Sequence, residues 1–260
     1  MKQMTTFQIK LIAITAMVID HVGLFFFPQI LLLRIIGRLA FPLFAWLIAN
    51  GAYYSKNINV YLARLFLFAV IAQIPFFLAN RLIEPSFWEL NVLFTLFLGL
   101  AAIVLMRKSR NRFTAVLVVI ISALLAEILD TDYGALGVLA IILFYVYFKD
   151  TKKMVLLQIC LFTLFSVIAI GIVMAFTGVA NPGISTLSVN LCLILMKVCL
   201  KVSTTIPPNF VILNLVEPLG LFSLFFIAFY GGQEGRKVKY FFYLFYPMHL
   251  FILYFIKLFI

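Results

Sequence analysis

Charge is scarce in this sequence. Only 11% of its 260 residues are charged, nine of them acidic, and it holds just two histidines and three cysteines. A soluble domain carries about a quarter of its residues as charges, so a water-soluble enzyme or binding module is excluded. The other scarcities each remove a class. Two histidines far apart in sequence, with no HExxH spacing, make a poor ligand set, and no metal is expected. Cys160, Cys192 and Cys199 lie in apolar runs and form no CxxC pair, so they read as small hydrophobes rather than a disulfide or metal set. Strand signals are weak beside the unbroken apolar runs, which speaks against a transmembrane barrel. No soluble domain, long linker or low-complexity tract interrupts the chain.

What is there is apolar. The chain is 65% hydrophobic and 17% aromatic, mostly Phe, with a mean hydropathy of +1.18. This predicts an all-α polytopic integral membrane protein, one bundle over residues 1–260, with about ten transmembrane helices around a polar intramembrane cavity. At about 20 residues per crossing, the runs are 7–27, 31–49, 60–78, 90–106, 113–129, 135–148, 154–176, 183–200, 210–229 and 240–259. The sixth is short for a full crossing, and the eighth starts polar ("GISTLSVN"). The first run is too long for a cleavable signal, is broken by Asp20 and His21, and is followed by no small-residue cleavage site, so it is expected to remain as the first span.

Twenty Lys and Arg against nine acids raises the question of nucleic acid, but the positive residues cluster in short loops between apolar runs, as membrane topology requires. Nothing resembles a basic, aromatic-interleaved nucleic-acid surface. "RKSRNR" (107–112), "KDTKK" (149–153) and Lys56 are expected on the cytoplasmic side and acidic "DTDYG" (130–134) outside. The N-terminus is then expected on the cytoplasmic side. The last third does not obey the count. With ten full crossings "GGQEGRKVK" (231–239) falls outside, against its charge, so either the eighth segment is re-entrant or the count is wrong by one. A proline inside an aromatic-rich helix recurs in "GRLAFPLF" and "FYLFYPMHL", too faintly to make a repeat.

Ionisable residues inside apolar runs are expensive and point to function. Here they are Lys10, Asp20, His21, Arg34, Arg38, Arg64, Glu127, Glu217 and His249. Lys10, Arg64 and Glu127 lie near run ends and can snorkel. At about 1.5 Å per residue, His21 lies roughly 9 Å and Arg38 roughly 10 Å below the outer ends of the first two helices. A link of a few residues makes those helices antiparallel neighbours, so Asp20, His21 and Arg38 meet at one level, with Arg34 one turn outward on the face of Arg38. Successive helical residues do not face each other, so Asp20 is expected to pair with Arg38 or Arg34 and to leave His21 free. A buried ion pair with a histidine alongside is the bland alternative; such pairs seldom improve on apolar packing. Lys10 precedes His21 by eleven positions, about three turns, and shares its face. Asn91 and Thr95 share another face. Glu217 precedes Pro218, whose missing N–H frees a carbonyl and kinks the helix. Asp132 and Tyr133 are expected to shape an outer turn.

The ordered set "MVIDHVG", "GRLAFPLFAWLIANG", "YLARLFLFAVIAQIPF", "NVLFTLFLGL", "DTDYGALGVLAIILFY" and "FYGGQEGRKVKYFFYLFYPMHLFILY" resembles the TraX family, whose namesake acetylates the N-terminus of F-type conjugative pilin. The resemblance covers nearly the whole chain and extends to a wider group of membrane acyltransferases, in which a basic residue, ten intervening residues and an essential histidine mark the first helix. Lys10 and His21 match that spacing. The resemblance implies an acetyltransferase using acetyl-CoA from the cytoplasm and no metal, with His21 as base or acyl carrier beside Asp20 and Arg38. Lys10, Arg64 and Arg34 are then the cations for CoA, and His249, Glu217, Asn91, Asp132 and Tyr133 a second tier around the cavity. The acceptor is a peptide, glycan or small molecule bearing an amine or hydroxyl. A proton-coupled secondary transporter, which also needs intramembrane Asp, His and Arg, is the competing class.

Overall fold

A reciprocal cap starts the first helix. Thr5 Oγ1 accepts the N–H of Gln8, while the Gln8 side chain accepts the N–H of Thr5 at 2.9 Å. In the computed structural model, which describes residues 3–176, 217–236 and 238–259, this helix is α1 (Thr6–Phe26). After it come α2 (Leu31–Gly37), α3 (Ala40–Tyr54), α4 (Ile58–Arg81), α5 (Val92–Lys108), α6 (Arg112–Ile128), α7 (Gly134–Val146) and α8 (Thr151–Phe176). A 3-10 turn (Glu217–Phe222) leads into α9 (Ser223–Ala228), and α10 spans Lys239–Phe259. Asn57, Asn91 and Asn111 cap α4, α5 and α6 by accepting backbone N–H groups. Among the described residues the only extended pairings are isolated bridges, Met4 with Tyr230 and Leu90 with Thr131.

The centre of the bundle is α3. Eleven of its residues are buried, and it packs against α1, α5, α7 and α9. Alanines at 45, 49, 52, 69 and 72 are fully buried and let neighbouring backbones approach closely. The outside is also apolar. Phe113, Val116, Ile120, Ile121 and Ile128 of α6 are all exposed. Each such side chain would forfeit about 1.5–3 kcal/mol if it were left in water. Lipid removes that penalty, and among the described residues five helical segments, Thr6–Phe26, Leu31–Tyr54, Ile58–Arg81, Thr151–Ala169 and Tyr240–Phe259, are long and apolar enough to cross a membrane. Among the described residues the fold is all-helical, and these segments make the protein a membrane protein.

Several sequence expectations change. The second run is two helices broken at Arg38 and Leu39. Pro42, in the first turn of α3, has no N–H to offer the carbonyl of Arg38, and Leu39 N–H turns back to Ile36 O at 3.2 Å. The run 183–200 and the start of the run 210–229 lie outside the described residues; the rest of the latter is the 3-10 turn and α9. With α5 and α6 at 17 residues each and α7 at 13, the described helices do not supply ten full crossings. A 13-residue helix reaches only about 20 Å.

The two ends of the bundle differ in charge. At one end Arg107 donates to Ala52 O at 2.6 Å and to Tyr145 Oη at 2.7 Å, and Lys149 lies over the Tyr53 ring. The "GGQEGRKVK" segment is at this same end. Met4 N–H donates to Phe229 O at 2.8 Å, Gly231 N–H to Met4 O at 2.9 Å and Thr6 N–H to Gln233 O at 2.9 Å. The segment's charge therefore agrees with its position, and the described residues do not confirm ten full crossings. The other end carries Glu84, Glu89, Asp130 and Asp132 in the two connections joined by the Leu90–Thr131 bridge, where Leu90 N–H donates to Asp130 O at 2.8 Å.

Candidate functional site

A cavity of about 280 Å³ opens beside the break between α2 and α3. Its polar lining is Asp20, His21, Arg34, Arg38, Asn80, Glu84, Glu89, Asp132 and Tyr133, with Phe41, Phe44, Phe76, Phe87 and Tyr246 among the apolar walls. Two glycines allow the approach of the elements that build it. The Asp20 side chain occupies the space where a Cβ on Gly37 would stand, and a Cβ on Gly220 would lie 2.6 Å from the Arg38 carbonyl oxygen. That second contact brings the 3-10 turn, and Glu217 with it, against the helix break.

The two arginines take different partners. Arg34 Nη1 donates to Asp20 Oδ2 at 2.7 Å and to Asp20 O at 3.3 Å, while Arg38 Nη1 donates to Glu217 Oε1 at 2.6 Å and to Tyr133 Oη at 3.1 Å. Among the described residues, Asp20 Oδ1 and Arg38 Nε are buried without a hydrogen-bond partner. Tyr133 stands in the left-handed region (φ 67°), with its ring stacked on Phe41 at 3.7 Å between centroids; such strain concentrates at functional sites. Its neighbour Asp132 lies in the connection outside the helices, and Thr95 donates to its carbonyl. Burial, reinforced by Glu89 and opposed by Arg38, pushes the Asp132 carboxyl up to about 7.

The two histidines, far apart in sequence, meet in the fold. His249 Nε2 lies 3.3 Å from His21 Nδ1, with ring centroids 5.0 Å apart. His21 Nδ1 also lies 2.9 Å from Met17 O, and His249 Nδ1 lies 3.0 Å from Phe245 O. Carbonyls only accept, so in the neutral rings both Nδ1 atoms carry the proton. His249 Nε2 is then an acceptor toward His21, and Nε2 of His21 holds a lone pair. Among the described residues no group of three His, Cys, Asp or Glu is placed to hold a metal.

Other expected residues lie elsewhere. Lys10 and Arg64 do not line the cavity. Lys10 Nζ sits 5.2 Å from the Phe242 ring and Arg64 5.7 Å from the Tyr243 ring, its Nη1 buried without a partner among the described residues. Asn91 is fully buried, caps α5 and donates to Ala69 O at 2.9 Å and Gln73 Oε1 at 2.7 Å. It joins α4 to α5 rather than walling the cavity. Glu217 and His249 stand behind the lining, on Arg38 and His21. Asn80, Glu84 and Glu89 are the lining residues that sequence reasoning passed over. The signal for Glu84 and Glu89 was the acidic connection "EPSFWEL", a counterpart of "DTDYG" at the same end.

The TraX family model, described as TraX protein, matches residues 6–205. The chain belongs to the TraX family. A probable fimbrial assembly protein, FimC of serogroup H1 from Dichelobacter nodosus, is 30% identical over 270 residues, covering 98% of this chain and 97% of the relative. Protein TraX of Escherichia coli is 28% identical over 59% of this chain and 61% of its own length. An uncharacterised protein of Rickettsia prowazekii is 32% identical over 59% of both. No solved structure matches. The TraX match contains every cavity-lining residue except Tyr246; Glu217, Tyr246 and His249 fall beyond it.

Proposed function

We propose that this TraX-family chain is a membrane acetyltransferase, moving an acetyl group from acetyl-CoA to an amine on a pilin-like peptide N-terminus or another cell-envelope acceptor. The observation that carries the reading is His21, whose Nε2 holds a lone pair, on the lining of a cavity where Asp20, Glu84 and Glu89, with Asp132 partly protonated near neutral pH, outnumber Arg34 and Arg38. That excess of negative charge suits an acceptor arriving as an ammonium, which releases one proton to a lining carboxylate or to water and attacks as the neutral amine. His21 removes the proton as the acceptor nitrogen attacks the thioester carbonyl, a role worth about 10²–10⁴ in rate. Arg38, whose Nε has no partner among the described residues, faces the oxygen on which negative charge grows. The printed name of the D. nodosus relative, a fimbrial assembly protein, supports a pilin-like acceptor.

The basic end faces the cytoplasm of a bacterial inner membrane, and acetyl-CoA enters there. Lys10 and Arg64 take its phosphates away from the cavity itself, on the path toward His21 three turns further along α1. Arg34, tied to Asp20, holds the site rather than the donor. The reaction needs no metal.

The test uses purified protein in nanodiscs with radiolabelled acetyl-CoA and a short peptide with a free N-terminus. His21→Ala should bind acetyl-CoA as wild type does and lose CoA release by about 10²-fold or more. Lys10→Ala should weaken binding. A folded wild type that does not bind acetyl-CoA sinks the donor assignment and brings the proton-coupled transporter forward.

A further inference from the structure

We propose that His249 is a positioning residue for His21, and that the two imidazoles share the charge of one proton during acetyl transfer; the inference rests on the acetyltransferase reading above. Its basis is the geometry of the pair. His249 is buried, does not line the cavity and touches the imidazole that does. Its own Nδ1–H is held by the carbonyl of Phe245 one turn back in α10, and its ring stacks on Phe245 at 5.5 Å. Both contacts fix the direction of Nε2, which points its lone pair at Nδ1 of His21.

His21 thus has two acceptors on one side, Met17 O and His249 Nε2, and the pair of them locks the tautomer that leaves its Nε2 bare. Asp20, the adjacent carboxylate, is not the orienting group, because it is engaged with Arg34 on α2. A neutral orienting partner suits a ring surrounded by Arg34 and Arg38. As the acceptor nitrogen bonds to the acetyl carbon, its proton passes to His21 Nε2, and the Nδ1–H···Nε2 bond to His249 shortens and spreads the positive charge over both rings. The carbon–sulfur bond then breaks, CoA leaves with the electron pair as thiolate, and His21 returns the proton to that sulfur. His249 ends the cycle as it began.

Two measurements test this, and the chain's content of only two histidines makes both clean. In protein carrying ¹⁵N-histidine, a ¹⁵N–¹⁵N scalar coupling across the hydrogen bond is expected between His21 Nδ1 and His249 Nε2, with both rings as Nδ1–H tautomers. Absence of that coupling, with either ring protonated at Nε2 alone, overturns the pairing whatever the protein catalyses. The second measurement compares kcat and KM for His249→Phe and His249→Gln. Phe keeps the ring and removes the acceptor, and is expected to lower kcat about 10²-fold with KM for donor and peptide within about twofold. Gln places an amide oxygen near the position of Nε2 and is expected to recover about tenfold of that loss, since it accepts the bond but not the proton. A wild-type kcat in His249→Phe, or Gln no better than Phe, overturns the role. Wild-type protein that shows the coupling but neither binds nor turns over acetyl-CoA overturns the acetyltransferase reading instead, and the catalytic role of His249 with it.

Discussion

Asp20 and His21 are neighbours in sequence whose side chains serve different partners. The carboxylate holds Arg34, and the imidazole meets a histidine from the far end of the chain. The first of these is legible in the sequence, because α1 and α2 are joined by a short link and helical rise puts Asp20 and Arg38 at one level, with Arg34 one turn outward on the same face. The choice of Arg34 over Arg38 is not, since it depends on Glu217, 179 positions from Arg38 in sequence. His249, 228 positions from His21, is equally out of reach, for only tertiary packing sets that distance. Asp132 carries a prediction at this scale. Its carboxyl is held neutral up to about 7, above the ordinary carboxylate range, so the unfolded chain gives up this proton at lower pH than the folded one. The fold is therefore expected to lose stability as pH rises from about 4 through about 7. Asp132→Asn should flatten that slope, read as the difference in Tm between the two proteins below about pH 5 and above about pH 8.

Between α2 and α3 the apolar pattern runs on without a pause, so hydrophobicity cannot show the break; both halves are equally greasy. Pro42 is the local signal, and what it leaves is a free carbonyl at Arg38 that Gly220 covers. The element-scale prediction follows from that cover. Gly220→Ala sets a methyl against a backbone oxygen, which cannot rotate away, and should cost about 1–3 kcal/mol as well as the proposed acetyl transfer, because it pushes Glu217 off Arg38. Gly171→Ala in α8, where a Cβ meets nothing within 4 Å, is the control and should leave Tm unchanged or raise it. Thermal unfolding in one detergent compares the two. By contrast, the starts of α4, α5 and α6 are announced by their asparagines, whose capping needs only residues a turn away.

Across the whole molecule, segregation of charge between the two ends is legible from the loops, and it survives where the count of crossings does not. Counting assumes that each apolar run is one straight crossing, and the split second run and the short α7 break that assumption. Main-chain bonds between residues 4–7 and 229–234 settle the position of the "GGQEGRKVK" segment on grounds that no count supplies. With Cys160, Cys192 and Cys199 replaced by alanine, Ser86→Cys should react with a membrane-impermeant maleimide on intact cells and Lys152→Cys only after permeabilisation. The reverse pattern would invert the assigned orientation. The pairing of His21 with His249 has a consequence for biosynthesis. Chains are made from the N-terminus, and contacts between residues so far apart in sequence close late. Until α10 has left the ribosome and docked against α1 and α4, His21 lacks its imidazole neighbour. On the proposed acetyltransferase reading, membrane insertion delivers a chain slowed by the missing partner, and full competence arrives in a late step.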